Sequence, residues 1–107
     1  MSEVVAALVY CPFPDRETAR SIAARLLEDG LIACANILPA IESLYEWEGE
    51  CAAASEVAVL LKTTSHRLEA LVDRLGDEHP YDTPAIIGWR CDAAHPETLQ
   101  WLVKAVG

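Results

Sequence analysis

Residues 79–84 read His79-Pro80-Tyr81-Asp82-Thr83-Pro84 and stand directly before the apolar run Ala85-Ile86-Ile87-Gly88-Trp89. Each proline restricts its own φ and biases its predecessor toward extended geometry, so this loop is stiff before any tertiary contact forms. An imidazole, a phenol and a carboxylate lie within it, the groups used for proton transfer and for holding cations. The other reactive side chains are the thiols of Cys11, Cys34, Cys51 and Cys91. They are widely spaced, without a C-x-x-C, so zinc-finger and thioredoxin-type chemistry is not expected.

Composition limits what those groups can serve. A chain of 107 residues is one domain, spanning 1–107, and is long enough to bury a core without staples. Met1-Ser2-Glu3 is acidic and Val4–Tyr10 is too short for a secretory leader with a cleavage site. We therefore expect a cytoplasmic protein with reduced thiols that act mainly as small apolar residues. No apolar stretch approaches a membrane span, so no membrane partner is expected. Eight basic residues against seventeen acidic ones leave a formal charge of −9. Phosphate binding needs a basic footprint, which argues against nucleic acid. An acidic surface suits metal cations, and equally suits plain solubility.

The elements that must position the loop follow from periodicity. Val4–Tyr10 reads as a strand. Asp15 then caps a helix whose apolar residues Ala19, Ile22, Ala23, Leu26 and Leu27 share a face, and Gly30 stops it. Leu31–Leu38 is a second apolar run that resumes after Pro39 and Ala40 as Ile41–Trp47. Glu48-Gly49-Glu50 signals a turn and Glu56–Thr63 a third strand. Thr64 or Ser65 caps a second helix through Leu68, Leu71, Val72 and Leu75, ending near Gly76. After the proline-rich loop comes a strand over Ala85–Cys91. Pro96 opens a last helix through Leu99, Leu102, Val103 and Val106.

The order β-α-β-β-α-β with a terminal helix predicts an α+β protein with the ferredoxin-like split βαβ pattern and a four-stranded antiparallel sheet. In that arrangement the fourth strand runs antiparallel beside the first, so Tyr10-Cys11-Pro12 and the loop 79–84 meet at one end of the sheet. Cys34 and Cys91 fall at the other end. A thiol beside an imidazole suits soft or borderline cations, copper above all, with Glu78 or Asp82 able to complete a sphere. The bland alternative makes Cys11 a core residue and leaves His79 bonded to a carbonyl.

Strands one, three and four are apolar at consecutive positions, so both sheet faces call for burial, while two helices cover only one. The second face is expected to meet another subunit. Leu31 to Trp47 drawn straight would span on the order of 55 Å. The hairpin must bend near Pro39 or overhang its domain, with Tyr45 and Trp47 near its tip as anchors on a neighbour. Packing of these aromatics on the domain's own helices is the alternative.

Over nearly its whole length the chain resembles the divalent-cation tolerance (CutA) family. The matching stretches are Glu17-Thr18-Ala19, Ile32-Ala33-Cys34-Ala35-Asn36-Ile37-Leu38-Pro39, Ser43-Leu44-Tyr45-Glu46-Trp47-Glu48-Gly49, Ser55-Glu56-Val57, Leu61-Lys62-Thr63, His79–Pro84 and Leu99-Gln100-Trp101. The resemblance implies a homotrimer of ferredoxin-like subunits, assembled like the PII signalling proteins, with a role in tolerance to divalent metals and no catalytic activity. Some bacterial members bind copper through a cysteine placed as in Cys11-Pro12-Phe13-Pro14-Asp15 and two histidines before Pro-Tyr. Only the second is present here, as His79, and Glu78 takes the first position. The resemblance thus marks Cys11, Glu78 and His79 as metal ligands; Tyr81 and Asp82 of the loop, and Tyr45 and Trp47 of the hairpin tip, are the candidates for a cleft or subunit interface. The chain departs from the family at Glu50, usually Lys, and at Ala85, usually Glu.

Two other functions compete with metal tolerance. A PII-like trimer could bind a small ligand in its subunit clefts, lined by the proline-rich loop and Tyr81. An acylphosphatase-like enzyme would use Arg16, but Pro12-Phe13-Pro14 lacks the glycines and free amides that cradle a phosphate.

Overall fold

A computed structural model describes residues 3–107. The elements in chain order are β1 (Ala6–Phe13), α1 (Arg16–Glu28), β2 (Cys34–Trp47), β3 (Glu50–Thr64), α2 (Leu68–Glu78), β4 (Ile87–Arg90) and α3 (Pro96–Val106). The four strands form one antiparallel sheet in the order β2-β3-β1-β4, which is the split βαβ arrangement expected from the pattern.

Local chemistry sets the helix ends. Asp15 accepts a 2.8 Å hydrogen bond from the Thr18 amide and caps α1. Gly30, at φ 69°, ends it with the Gly30 amide on the Leu27 carbonyl and the Leu31 amide on that of Leu26, a Schellman pair. The expected cap of α2 is not used. Arg67 occupies that position without a side-chain bond, because Thr64 Oγ1 donates to the Gly107 carbonyl and Ser65 Oγ accepts from the Val5 amide. The helix also runs past Gly76 to Glu78. Pro96 starts α3 as expected, with His95 Nδ1 accepting from the Glu97 amide.

One strand, β3, is longer than periodicity suggested, β2 and β4 are shorter and β1 is displaced. β1 continues through Cys11 and Pro12 to Phe13, while β4 is confined to Ile87–Arg90. β2 passes through Pro39 without ending, and β3 begins at the turn. Pro39 is tolerated because β2 is an edge strand and the register shifts between Ile37 and Ala40. Glu48 and Gly49, with φ of 50° and 83°, make the tight turn whose twist matches the strands.

The core lies between the sheet and helices α1 and α2. Val9, Cys11 and Phe13 of β1 alternate toward it, as do Val59 and Leu61 of β3, and meet Ile22 and Leu26 of α1 and Leu71 and Leu75 of α2. On the other face α3 packs against β3 at its Thr64 end. Beyond α3 that face stays open, with Ile87 and Trp89 of β4 exposed. The hairpin both shifts register at Pro39 and overhangs, giving the molecule extents of 45 × 26 × 23 Å.

Gly88 is required where β4 meets α2. A Cβ there would stand 2.9 Å from Leu68 Cδ1, 3.0 Å from Val9 Cγ2 and 3.3 Å from the Leu8 carbonyl oxygen. Gly88→Ala should lower stability by about 1–3 kcal/mol in denaturant unfolding, since the crowded β-branched neighbour and backbone yield little.

Candidate functional site

The site begins with a proline in a strand. Carbonyls of even-numbered β1 residues point toward β4, as the Cys91 amide on the Ala6 carbonyl shows. The β1–β4 ladder ends at Tyr10↔Ile87, so Pro12 lies beyond it. Its missing N–H therefore removes no ladder bond on that side, and its carbonyl oxygen is left without a strand partner. The ring of His79, arriving from the end of α2, fills the vacancy: Nε2 is 2.8 Å from Pro12 O. The Cys11 thiol is directed at the same oxygen, with Sγ 3.8 Å away. Strand topology was thus enough to bring Cys11 and His79 together.

Their geometry is that of a packed interior. A carbonyl only accepts, so Nε2 carries the hydrogen; the Tyr81 amide donates to Nδ1 at 3.2 Å, so that nitrogen's lone pair is engaged. The ring stacks on Phe13 with centroids 4.7 Å apart. Cys11 is fully buried among apolar side chains. Burial, with the nearby charge of Glu56, pushes its thiol up to about 12, far from the thiolate a metal requires.

Glu78 is turned elsewhere. One carboxylate oxygen accepts from Arg25 Nε at 2.8 Å and the other from Arg74 Nε, while Arg74 also reaches Asp29. This cluster joins α1 to α2. Burial alone would raise the Glu78 carboxyl, but the bonds and charges of Arg25 and Arg74 outweigh it and hold the group below its ordinary value.

Within one chain these placements do not assemble the expected ligand set. Cys11, Glu78 and His79 do not present three free donors to one point, and among the described residues no three His, Cys, Asp or Glu side chains are grouped to hold a metal ion. Imidazole lone pair, thiol and carboxylate each have another partner, so in this arrangement the residues do not fit the ion. Asp82 is exposed on the loop. Tyr45 and Trp47 are 45 % and 51 % exposed on the overhanging hairpin, which excludes the alternative of packing on their own helices.

Periodicity missed the partners of Tyr81 and Glu78. Tyr81 Oη lies 2.9 Å from Glu56 Oε2, a contact between the loop and β3. Burial first, then the bond and charge of Glu56, push this phenol up to about 12. Glu56 lies in the family-like stretch Ser55-Glu56-Val57, but the sequence carries no sign of its bond to Tyr81. The Arg74–Glu78 pair, by contrast, is legible as an i,i+4 spacing on a helix.

The class of protein is thereby defined: a ferredoxin-like α+β subunit with an overhanging β-arm and a stiff loop locked to the end of β1. The family model of the CutA1 divalent ion tolerance protein matches residues 7–105. The divalent-cation tolerance protein CutA of Salmonella newport is 41% identical over 97 residues, 91% of this chain and 84% of that one. The divalent ion tolerance protein CutA1 of Ehrlichia chaffeensis superposes with a TM-score of 0.91 at 39% identity, covering 99% of both chains. The periplasmic divalent cation tolerance protein CutA of Archaeoglobus fulgidus gives 0.90 at 36% identity, covering 95% of this chain and 99% of that one. This chain belongs to the CutA1 divalent ion tolerance family.

The Glu78 cluster carries a pH signature. Because the folded carboxyl lies below its ordinary value, its contribution to stability is present above that ordinary value and is lost as pH falls through the folded one. Glu78→Gln should therefore cost no more than about 1 kcal/mol near neutrality, since solvent screens the arginines. The difference from the parent should vanish in strong acid, as read by urea unfolding across pH.

Proposed function

We propose that this chain is a subunit of a homotrimeric divalent-cation tolerance protein whose work is done by the assembled oligomer, without catalysis. The observation that carries self-association is the open apolar surface: Ile87 and Trp89 on β4, and Leu44, Tyr45 and Trp47 on the arm, are all exposed. Large aromatic and aliphatic side chains exposed on both edges of the sheet are stabilised by a partner. The number three comes from the family resemblance. A cytoplasmic location agrees with four cysteines that are all free. Among the described residues no helix is long and apolar enough to cross a membrane.

The cation role rests on family membership and agrees with the net charge of −9, which concentrates cations near the surface. Copper is the cation to try first. The burial of Cys11 and the committed nitrogens of His79 favour metal contact outside that pair. The small-ligand reading would use clefts between subunits, beside the proline-rich loop and Tyr81; the depression at the root of the arm, lined by Ala40, Ile41, Ala53 and Ser55, is shallow and lies apart from that loop. Cations take precedence because the family is named for them.

Light scattering should give three times the mass of one chain, and replacing Tyr45 and Trp47 together by serine should return it toward the single-chain value. A monomeric parent would end the proposal. In calorimetric titration with copper, Cys11→Ser and His79→Ala should bind as the parent does; loss of binding in either would restore them as ligands.

A further inference from the structure

The loop 79–84 bridges the fork at which β3 leaves β1. Phe13↔Val57 is the last β1–β3 pair. Glu56, the next residue along β3, pairs with Ile41 of β2, and its carboxylate accepts from Tyr81 Oη at 2.9 Å. The backbone of Tyr81 is held from the other side, its amide donating to His79 Nδ1 at 3.2 Å while His79 is fastened to Pro12. Tyr81 is therefore attached to the sheet by its amide and to the arm by its hydroxyl. The rings continue the connection, with His79 stacked on Phe13 and the Tyr81 ring 4.7 Å from His79. Pro80 and Pro84 stiffen the segment that carries these bonds.

A two-stranded ribbon with no third strand and no helix beneath it is marginal alone and twists easily. Its direction is set where it joins the sheet, and Glu56 is at that junction. We propose that Tyr81 is a strap: its bond to Glu56 holds the β2–β3 arm at a fixed angle to the sheet and thereby tunes how readily the arm engages a second copy of the chain. The assembly part rests on the self-association reading above, whereas the restraint on the arm stands on the bonds within one chain.

The test is a double-mutant cycle with Tyr81→Phe, Glu56→Ala and the pair, read by amide hydrogen exchange. Tyr81→Phe keeps the ring and removes only the donor, so the fold is retained. Exchange at Ile41–Ser43 and Ala54–Glu56 should quicken about fivefold in each single variant, the scale of one hydrogen bond to a charged acceptor at a part-exposed site. Core amides at Val9 and Val59 should not change, and the double variant should add nothing. Unchanged exchange at the arm root in either single variant, or additive effects in the pair, overturns the strap. Dilution monitored by light scattering should show half-dissociation of Tyr81→Phe at a concentration at least about fivefold above that of the parent. Equal dissociation alongside faster arm exchange overturns the tuning of assembly. A parent that is monomeric throughout overturns the self-association reading, and the exchange cycle still decides the strap.

Discussion

Much of this molecule follows from a mismatch in length between neighbouring strands. β3 has 15 residues and β1 has 8, so the sheet is three strands deep only as far as Val57. Beyond that point β2 and β3 have only each other. A ribbon of that kind buries no face of its own, and alternation along it cannot hide both Tyr45 and the Leu44 beside it. The same mismatch places Glu56 at the fork and gives the neighbouring loop something to hold. The shift at Pro39 and the left-handed Glu48-Gly49 turn let the ribbon twist without breaking its pairing.

The fixed end of the structure is organised around one carbonyl oxygen. Pro12 ends the usable β1 edge, and its unpaired oxygen collects the His79 ring. A buried carbonyl left alone would cost free energy comparable to a lost hydrogen bond. His79 satisfies it, stacks on Phe13 and receives the Tyr81 amide, so one ring anchors the loop through three contacts. This explains why residue types associated with soft-metal chemistry are here interior structure. The imidazole has no lone pair to offer, and the thiol beside it lies in an apolar environment that resists its ionisation. Glu78, one residue before, faces two arginines and fastens the helices instead.

Both halves leave particular groups at the surface. Cys11 and His79 are engaged by the fold itself, whereas the Cys51 thiol is free and exposed on the arm. The face near Trp89 and the aromatic arm are among the exposed apolar parts of the described residues. The strap at Tyr81 lies between these regions and the core.

Element order, the fold and the meeting of Cys11 with His79 were legible in the amino-acid sequence. Hydrophobic periodicity and capping residues such as Asp15, Gly30 and Pro96 act within a few positions of themselves, and the split βαβ order leaves few ways to arrange four strands. The family was legible too, because its motifs recur in order along the chain. Three things came only from the folded chain: where side chains point, which partners they take, and how far the strands extend. A bend at Pro39 or an overhang was expected, and only the fold shows that both occur because an edge position lets the strand continue through the proline. Thr64 and Ser65 looked like caps, yet the C-terminal helix and the start of the chain claim their hydroxyls. Cys11 and His79 looked like ligands, and although Tyr81 and Glu56 both lie in family-like stretches, nothing in them announced the bond that joins the two. Each of these depends on a contact between residues far apart in the chain, and periodicity carries no record of such contacts.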